Sequence, residues 1–122
     1  MANVLIGAVA LFFLGMGVYG LAAPAALIGP FGITLDSPAA RTEVRAVYGG
    51  FGVAIAALLG YAILASAVRQ GAVVAVALAL LGMAFGRLVG RAFDRPERFY
   101  PTWFYFWVEL LGATLLLLAL RL

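Results

Sequence analysis

The sequence predicts an all-α integral membrane protein, an antiparallel bundle of four transmembrane helices, and three observations predict it. Of the 122 residues, 66% are apolar and 11% charged, against about 45–50% apolar and about 25% charged in an ordinary soluble domain. Mean hydropathy is +1.14. The apolar residues also fall into four runs, each long enough to cross a hydrocarbon layer of about 30 Å and each bounded by turn-forming residues. These spans, at about 4–23, 43–67, 72–93 and 102–121, make one transmembrane domain.

The first run, Val4 to Ala23, has no Lys or Arg ahead of it and is too long for a signal peptide, although Ala23-Pro24-Ala25 imitates a small-residue cleavage site. It reads as a true span. Pro24, Gly29, Pro30 and Gly32 then punctuate a loop that stays apolar from Ala25 to Leu35 and is expected to lie in the membrane interface. Asp36-Ser37-Pro38 announces the second helix, with Ser37 as N-cap and Pro38 at the first helical position, where its missing N–H costs nothing. Running to about Ala67, this helix would be near 45 Å long at 1.5 Å per residue, so it tilts or begins among headgroups. A tight turn at Arg69-Gln70-Gly71 reverses the chain into the third span. Asp94 to Pro101 is the strongly polar segment, and Pro101 opens the fourth span.

Four spans place both termini and the Arg69 turn on one side. Two arginines, Arg69 and Arg121, lie there, against six on the other side: Arg41, Arg45, Arg87, Arg91, Arg95 and Arg98. The positive-inside rule then puts the termini outside and the Arg-rich loops in the cytoplasm of a bacterial inner membrane.

The chain contains no Cys, His or Lys, which removes disulfides, thiol chemistry, His-ligated metals, Schiff bases and a Ser-His-Asp triad. No metal, cofactor or catalytic residue is expected. An enzyme is the least favoured class, because carboxylates and tyrosines are the only acid–base groups. A net charge of +3 does not point to nucleic acid, since the arginines flank apolar spans.

At 100° per residue, Arg87, Arg91, Asp94, Arg95 and Arg98 share a sector of about 100° on the third span. Gly82, Gly86 and Gly90 form a neighbouring stripe, read first as packing inside the bundle and otherwise as a homodimer contact, with Gly52, Ala56 and Gly60 as a candidate partner stripe. On the fourth span Trp103 and Trp107 suit an aromatic belt facing headgroups, which turns Glu109 inward. Glu109 lies about 12 Å from Pro101 and Arg87 about 9 Å from the end of its helix, so the two meet at one depth. Ionised groups in hydrocarbon cost at least ~2.5–3.5 kcal/mol each, and Arg87 with Glu109 is the first expected pair. Arg41, Arg45 and Tyr48 share a face of the second span, Glu43 lies about 200° from both arginines, and Tyr19 approaches the same level from the first.

Two readings of this cluster stand side by side: a closed ion-pair network that orients the helices, or a ligand site made by Tyr19, Glu43, Arg45, Tyr48, Arg87, Arg91 and Glu109. The arginine excess favours the site, with charge left over for a polar or anionic headgroup.

In Glu43-Val44-Arg45-Ala46-Val47-Tyr48-Gly49-Gly50, Gly86-Arg87 with Asp94-Arg95-Pro96, and Trp107-Val108-Glu109, the chain resembles a family of small bacterial four-helix membrane proteins catalogued only as a domain of unknown function. The E-x-R-A-x-Y-G-G stretch is the most specific part of that resemblance. More distantly the layout is similar to that of DoxX-type four-helix proteins. The resemblance implies a fold and supplies no activity.

The leading expectation is a membrane protein that binds a lipid-like or amphipathic small molecule among membrane lipids. The alternatives are a small, dimeric proton-coupled transporter using Glu109, and an accessory subunit of a larger membrane complex docking through its glycine stripes.

Overall fold

A computed structural model describes residues 1–122. The chain is helical nearly throughout: α1 (Ala2–Ala22), a short α2 (Pro24–Ile28), a 3-10 turn at Gly29–Phe31, α3 (Pro38–Leu64), α4 (Ser66–Phe93) and α5 (Phe99–Ala119). Four of these, α1, α3, α4 and α5, are long and apolar enough to cross a membrane. Their outward faces carry large apolar side chains such as Leu11, Leu78, Phe85 and Leu111 in contact with the surroundings, a surface that water would not tolerate and lipid tails would.

Local chemistry sets the helix ends. Ser37 Oγ accepts the Ala40 N–H at 3.0 Å, and Pro38 opens α3, as the sequence leads one to expect. The reversal between α3 and α4 differs from expectation. It occurs at Ala65, the single non-helical residue between the two helices, and Arg69-Gln70-Gly71 lie inside α4. Arg69 is the reason. From the first turns of α4 its Nε donates to the Ala62 carbonyl at 3.1 Å and its Nη2 to the Ile63 carbonyl at 2.8 Å. Those carbonyls belong to the last turn of α3, where no intrahelical partner exists. An arginine that satisfies them must sit one turn past the reversal, so the sequence cue and the bend are offset.

Two further expectations are corrected, and the apolar loop after α1 takes a definite shape: Pro24, Leu27 and Ile28 are buried, with α2 packed against α1 and the start of α3. Trp103 is half-buried and donates from Nε1 to the Pro96 carbonyl at 3.2 Å, tying down the polar α4–α5 connection; Trp107 is the one that stays exposed. The α5 segment begins at Phe99, ahead of Pro101, with Tyr100 extended (φ −94°, ψ 133°), as steric conflict with a following proline demands.

The third-span glycines are also placed differently. Around Gly82, Gly86, Gly90 and likewise Gly60, a Cβ would meet nothing within 4 Å. They do not pack inside the chain. The close helix contact is made by Gly17 and Gly20 of α1 with Gly49 and Gly52 of α3: a Cβ on Gly20 would stand 2.9 Å from the Gly49 nitrogen.

The bundle has two unlike halves. Near the Ala65 turn, Ile6, Val9, Leu59, Val73, Val76, Ala77, Leu80, Ala113, Leu116 and Ala119 form a closed core. Toward the α2 end the helices leave a cavity.

Candidate functional site

Arg87 and Glu109 build the floor of that cavity. Arg87 Nε donates to Glu109 Oε1 and Arg87 Nη2 to Oε2, both at 2.8 Å, the parallel two-bond geometry that a guanidinium and a carboxylate share. The Glu109 side chain is 4% exposed and that of Arg87 20%. The pair expected from matching helix depth is thus present. It is the single ion pair in the molecule within 4.0 Å.

Aromatic rings complete the surroundings of the guanidinium. Arg87 Cζ lies 6.0 Å from the centre of the Phe31 ring and 5.7 Å from that of Tyr105, and the two rings stack on each other at 5.7 Å. Positive charge near aromatic faces is attracted by the ring quadrupole. Phe31 comes from the 3-10 turn after α2, so the folded-back loop reaches the ion pair and roofs it. The third nitrogen, Nη1, receives no acceptor from the protein, and it is not sealed off.

The cavity has a volume of about 340 Å³, and 13 of its 16 lining residues are hydrophobic. Its walls come from every helix: Phe12, Phe13 and Met16 of α1, Leu27 and Ile28 of α2, Val47, Tyr48, Phe51 and Gly52 of α3, Leu80, Met83 and Arg87 of α4, and Tyr105, Val108 and Glu109 of α5, with Phe31 above. Val47, Tyr48, Phe51 and Met83 are about half exposed while lining it. The mouth therefore lies between α3 and α4, on the side of the bundle.

Of the residues expected at the site, Tyr48, Arg87 and Glu109 are brought together around this cavity. The other four lie outside its lining. Arg45 is engaged elsewhere: its Nε donates to the Leu21 carbonyl at 3.0 Å, one of the unpaired carbonyls at the end of α1. Glu43 and Arg91 are exposed near helix ends, and Tyr19 is exposed on α1. The arginine surplus consequently does not converge on the pocket. One guanidinium faces it, and one carboxylate balances that charge.

The Glu43–Gly50 stretch has a local structural logic. Residues Arg45–Gly50 form a π-helical turn inside α3, a widened coil that re-aims successive side chains. Arg45 reaches the end of α1, Gly49 lets the two backbones touch, and Tyr48 is left on the cavity side. Sequence reasoning missed Phe31 and the apolar walls at Phe12, Phe13, Met16, Leu27 and Ile28. A signal for the loop was present, since Ala25 to Leu35 stays apolar where a solvated connection would turn polar.

Residues 1–120 match the family model described as Domain of unknown function (DUF4345), and the chain belongs to that family. Neither a curated protein nor a solved structure matches it.

Proposed function

We propose that this DUF4345 member is an integral membrane protein, an antiparallel four-span bundle that binds a lipid-like or amphipathic small molecule in the cavity above Arg87 and Glu109. The polar head meets the unshared edge of Arg87 beside Tyr48, and the apolar remainder fills the hydrophobic walls. The membrane assignment rests on four spanning-length apolar helices. Close approaches at Gly7 with Ile63, Gly17 with Val53 and Gly20 with Gly49 support the antiparallel course of α1 and α3. By the distribution of arginines, the site opens toward the cytoplasmic leaflet of a bacterial inner membrane, with both termini on the far side.

One observation carries the binding reading. An ion pair that served only to join helices would be packed over on all sides, whereas Arg87 and Glu109 line a space of about 340 Å³ with apolar walls and Arg87 Nη1 has no acceptor from the protein. Pockets with few polar groups in an apolar lining are the usual form of small-molecule sites, and intramembrane ionisable residues are functional by default.

The test is mass spectrometry of the small molecules that copurify in mild detergent, comparing wild type with Arg87→Met/Glu109→Leu. The double variant removes both charges together and keeps the apolar fold. A defined molecule held by wild type and lost from the variant is expected. Bulk phospholipid in equal amount from both overturns the reading. The alternative is then an accessory subunit or homodimer that docks through Gly82, Gly86 and Gly90, which face outward with open space beside them.

A further inference from the structure

The shape and charge of the cavity define the class of molecule more narrowly, on the premise that the lipid-binding reading is right. Glu109 occupies Arg87 Nε and Nη2 with both of its oxygens, so the pair is electrically balanced. Both Nη1 hydrogens and the second Nη2 hydrogen are left to donate. An anion placed against Nη1 would lie within a few ångströms of the Glu109 carboxylate in an apolar setting, where like charges repel strongly. A neutral acceptor adds no charge and takes the same hydrogen bond.

The apolar part of the molecule has a channel to follow. A narrower pocket of about 150 Å³ adjoins the main cavity and shares Phe12, Phe13, Leu80 and Val108 with it. From there it continues between α1 and α5 to Ala8, Leu111 and Leu115. The step from Glu109 to Leu115 carries it about 9 Å along α5, away from the polar pair. Gly112 lines this channel, and a Cβ there would stand 3.1 Å from Leu80 Cδ1. The groove between α1 and α3 shares no lining residue with the main cavity and meets the channel at Ala8 alone, so the channel is the direct continuation of the space beside the ion pair.

From this arrangement we infer that the site takes a neutral, single-chain amphiphile, whose carbonyl oxygen accepts from Arg87 Nη1 while its hydrocarbon chain runs between α1 and α5.

Two photoreactive probes test this on the full chain in lipid nanodiscs: a monoacylglycerol with a diazirine in its chain, and the same chain ending in a sulfonate. The monoacylglycerol should label residues 8–13 and 108–115 roughly tenfold or more above the sulfonate, the discrimination expected when one of two heads meets a like charge. Glu109→Gln should reverse that order by leaving Arg87 uncompensated. Gly112→Leu, which leaves the ion pair intact, should abolish labelling at 108–115. Sulfonate labelling the groove as well as the monoacylglycerol on the wild type would overturn the neutral-head inference and leave lipid binding standing. Undiminished groove labelling in Gly112→Leu would overturn the single-chain route. Both probes spread evenly over the outer apolar faces would overturn the inference and the lipid-binding reading together.

Discussion

Gly17 of α1 and Gly52 of α3 touch backbone to backbone: a Cβ on Gly52 would stand 2.9 Å from the Gly17 Cα, and one on Gly17 would stand 2.6 Å from the Val53 nitrogen. Neither clash is with the end of a flexible side chain, so the helices themselves would have to separate. Gly17→Ala should therefore destabilise the bundle by roughly 1–3 kcal/mol, the range of overpacking in a tight contact. Gly86→Ala is the control. Its Cβ meets nothing within the chain, and the better helix propensity of alanine should stabilise the monomer by up to about 1 kcal/mol. Thermal unfolding in detergent reads both, and equal effects would contradict the assigned helix contact.

The ion pair predicts a non-additive series. Removing one member strands a charge in an apolar interior, and Arg87→Met or Glu109→Leu alone should cost about 3–5 kcal/mol. Their combination should recover most of that loss, because the stranded charge is gone. Unfolding midpoints of the two single variants and the double variant give the coupling. A double variant as unstable as the sum of the singles would contradict the pairing.

Arg69 closes the α3–α4 reversal through two carbonyls. Arg69→Ala should lower stability by about 1–3 kcal/mol, as two charge-assisted bonds to otherwise unpaired acceptors are lost. Hydrogen exchange should locate the change at the start of α4 and leave the cavity end protected as before.

Phe31 and Tyr105 stack at 5.7 Å above Arg87. Phe31→Ala removes the roof from a position outside the spanning helices, losing the stack on Tyr105 and none of the closed core, so the melting temperature should change little while bound amphiphile dissociates several-fold faster. Wash-out of a labelled probe from nanodiscs measures this, and unchanged retention would place the ligand away from the roof.

Ser37 contributes a cap to α3. Ser37→Ala should cost about 1 kcal/mol, read in the same thermal assay, with no effect on probe binding because the cap lies outside the cavity lining.

The residues that define the class and the pair were legible in the sequence for physical reasons that act locally or along one axis. Apolar runs of spanning length announce the four helices. Ser37-Pro38 announces the start of α3 through backbone chemistry confined to one turn. Arg87 and Glu109 were found from helix rise alone, since two opposite charges at one depth in an apolar medium have strong reason to meet.

What the tertiary structure decided is everything that depends on how the helices rotate and close on each other. Gly17, Gly20, Gly49 and Gly52 carry the close contact while Gly82, Gly86 and Gly90 face outward, although both sets repeat with helical spacing. Arg45 and Arg87 are the same residue type near helix ends, yet one binds a backbone carbonyl and the other a buried carboxylate. A sequence records periodicity on each helix but not the azimuth at which that helix meets its neighbours, and in a membrane both faces of a helix are apolar, so hydrophobicity does not supply the missing angle. The folded-back α2 segment and its Phe31 show the same limit: the loop's apolar composition was visible, but only the closed bundle fixes which side chain it covers.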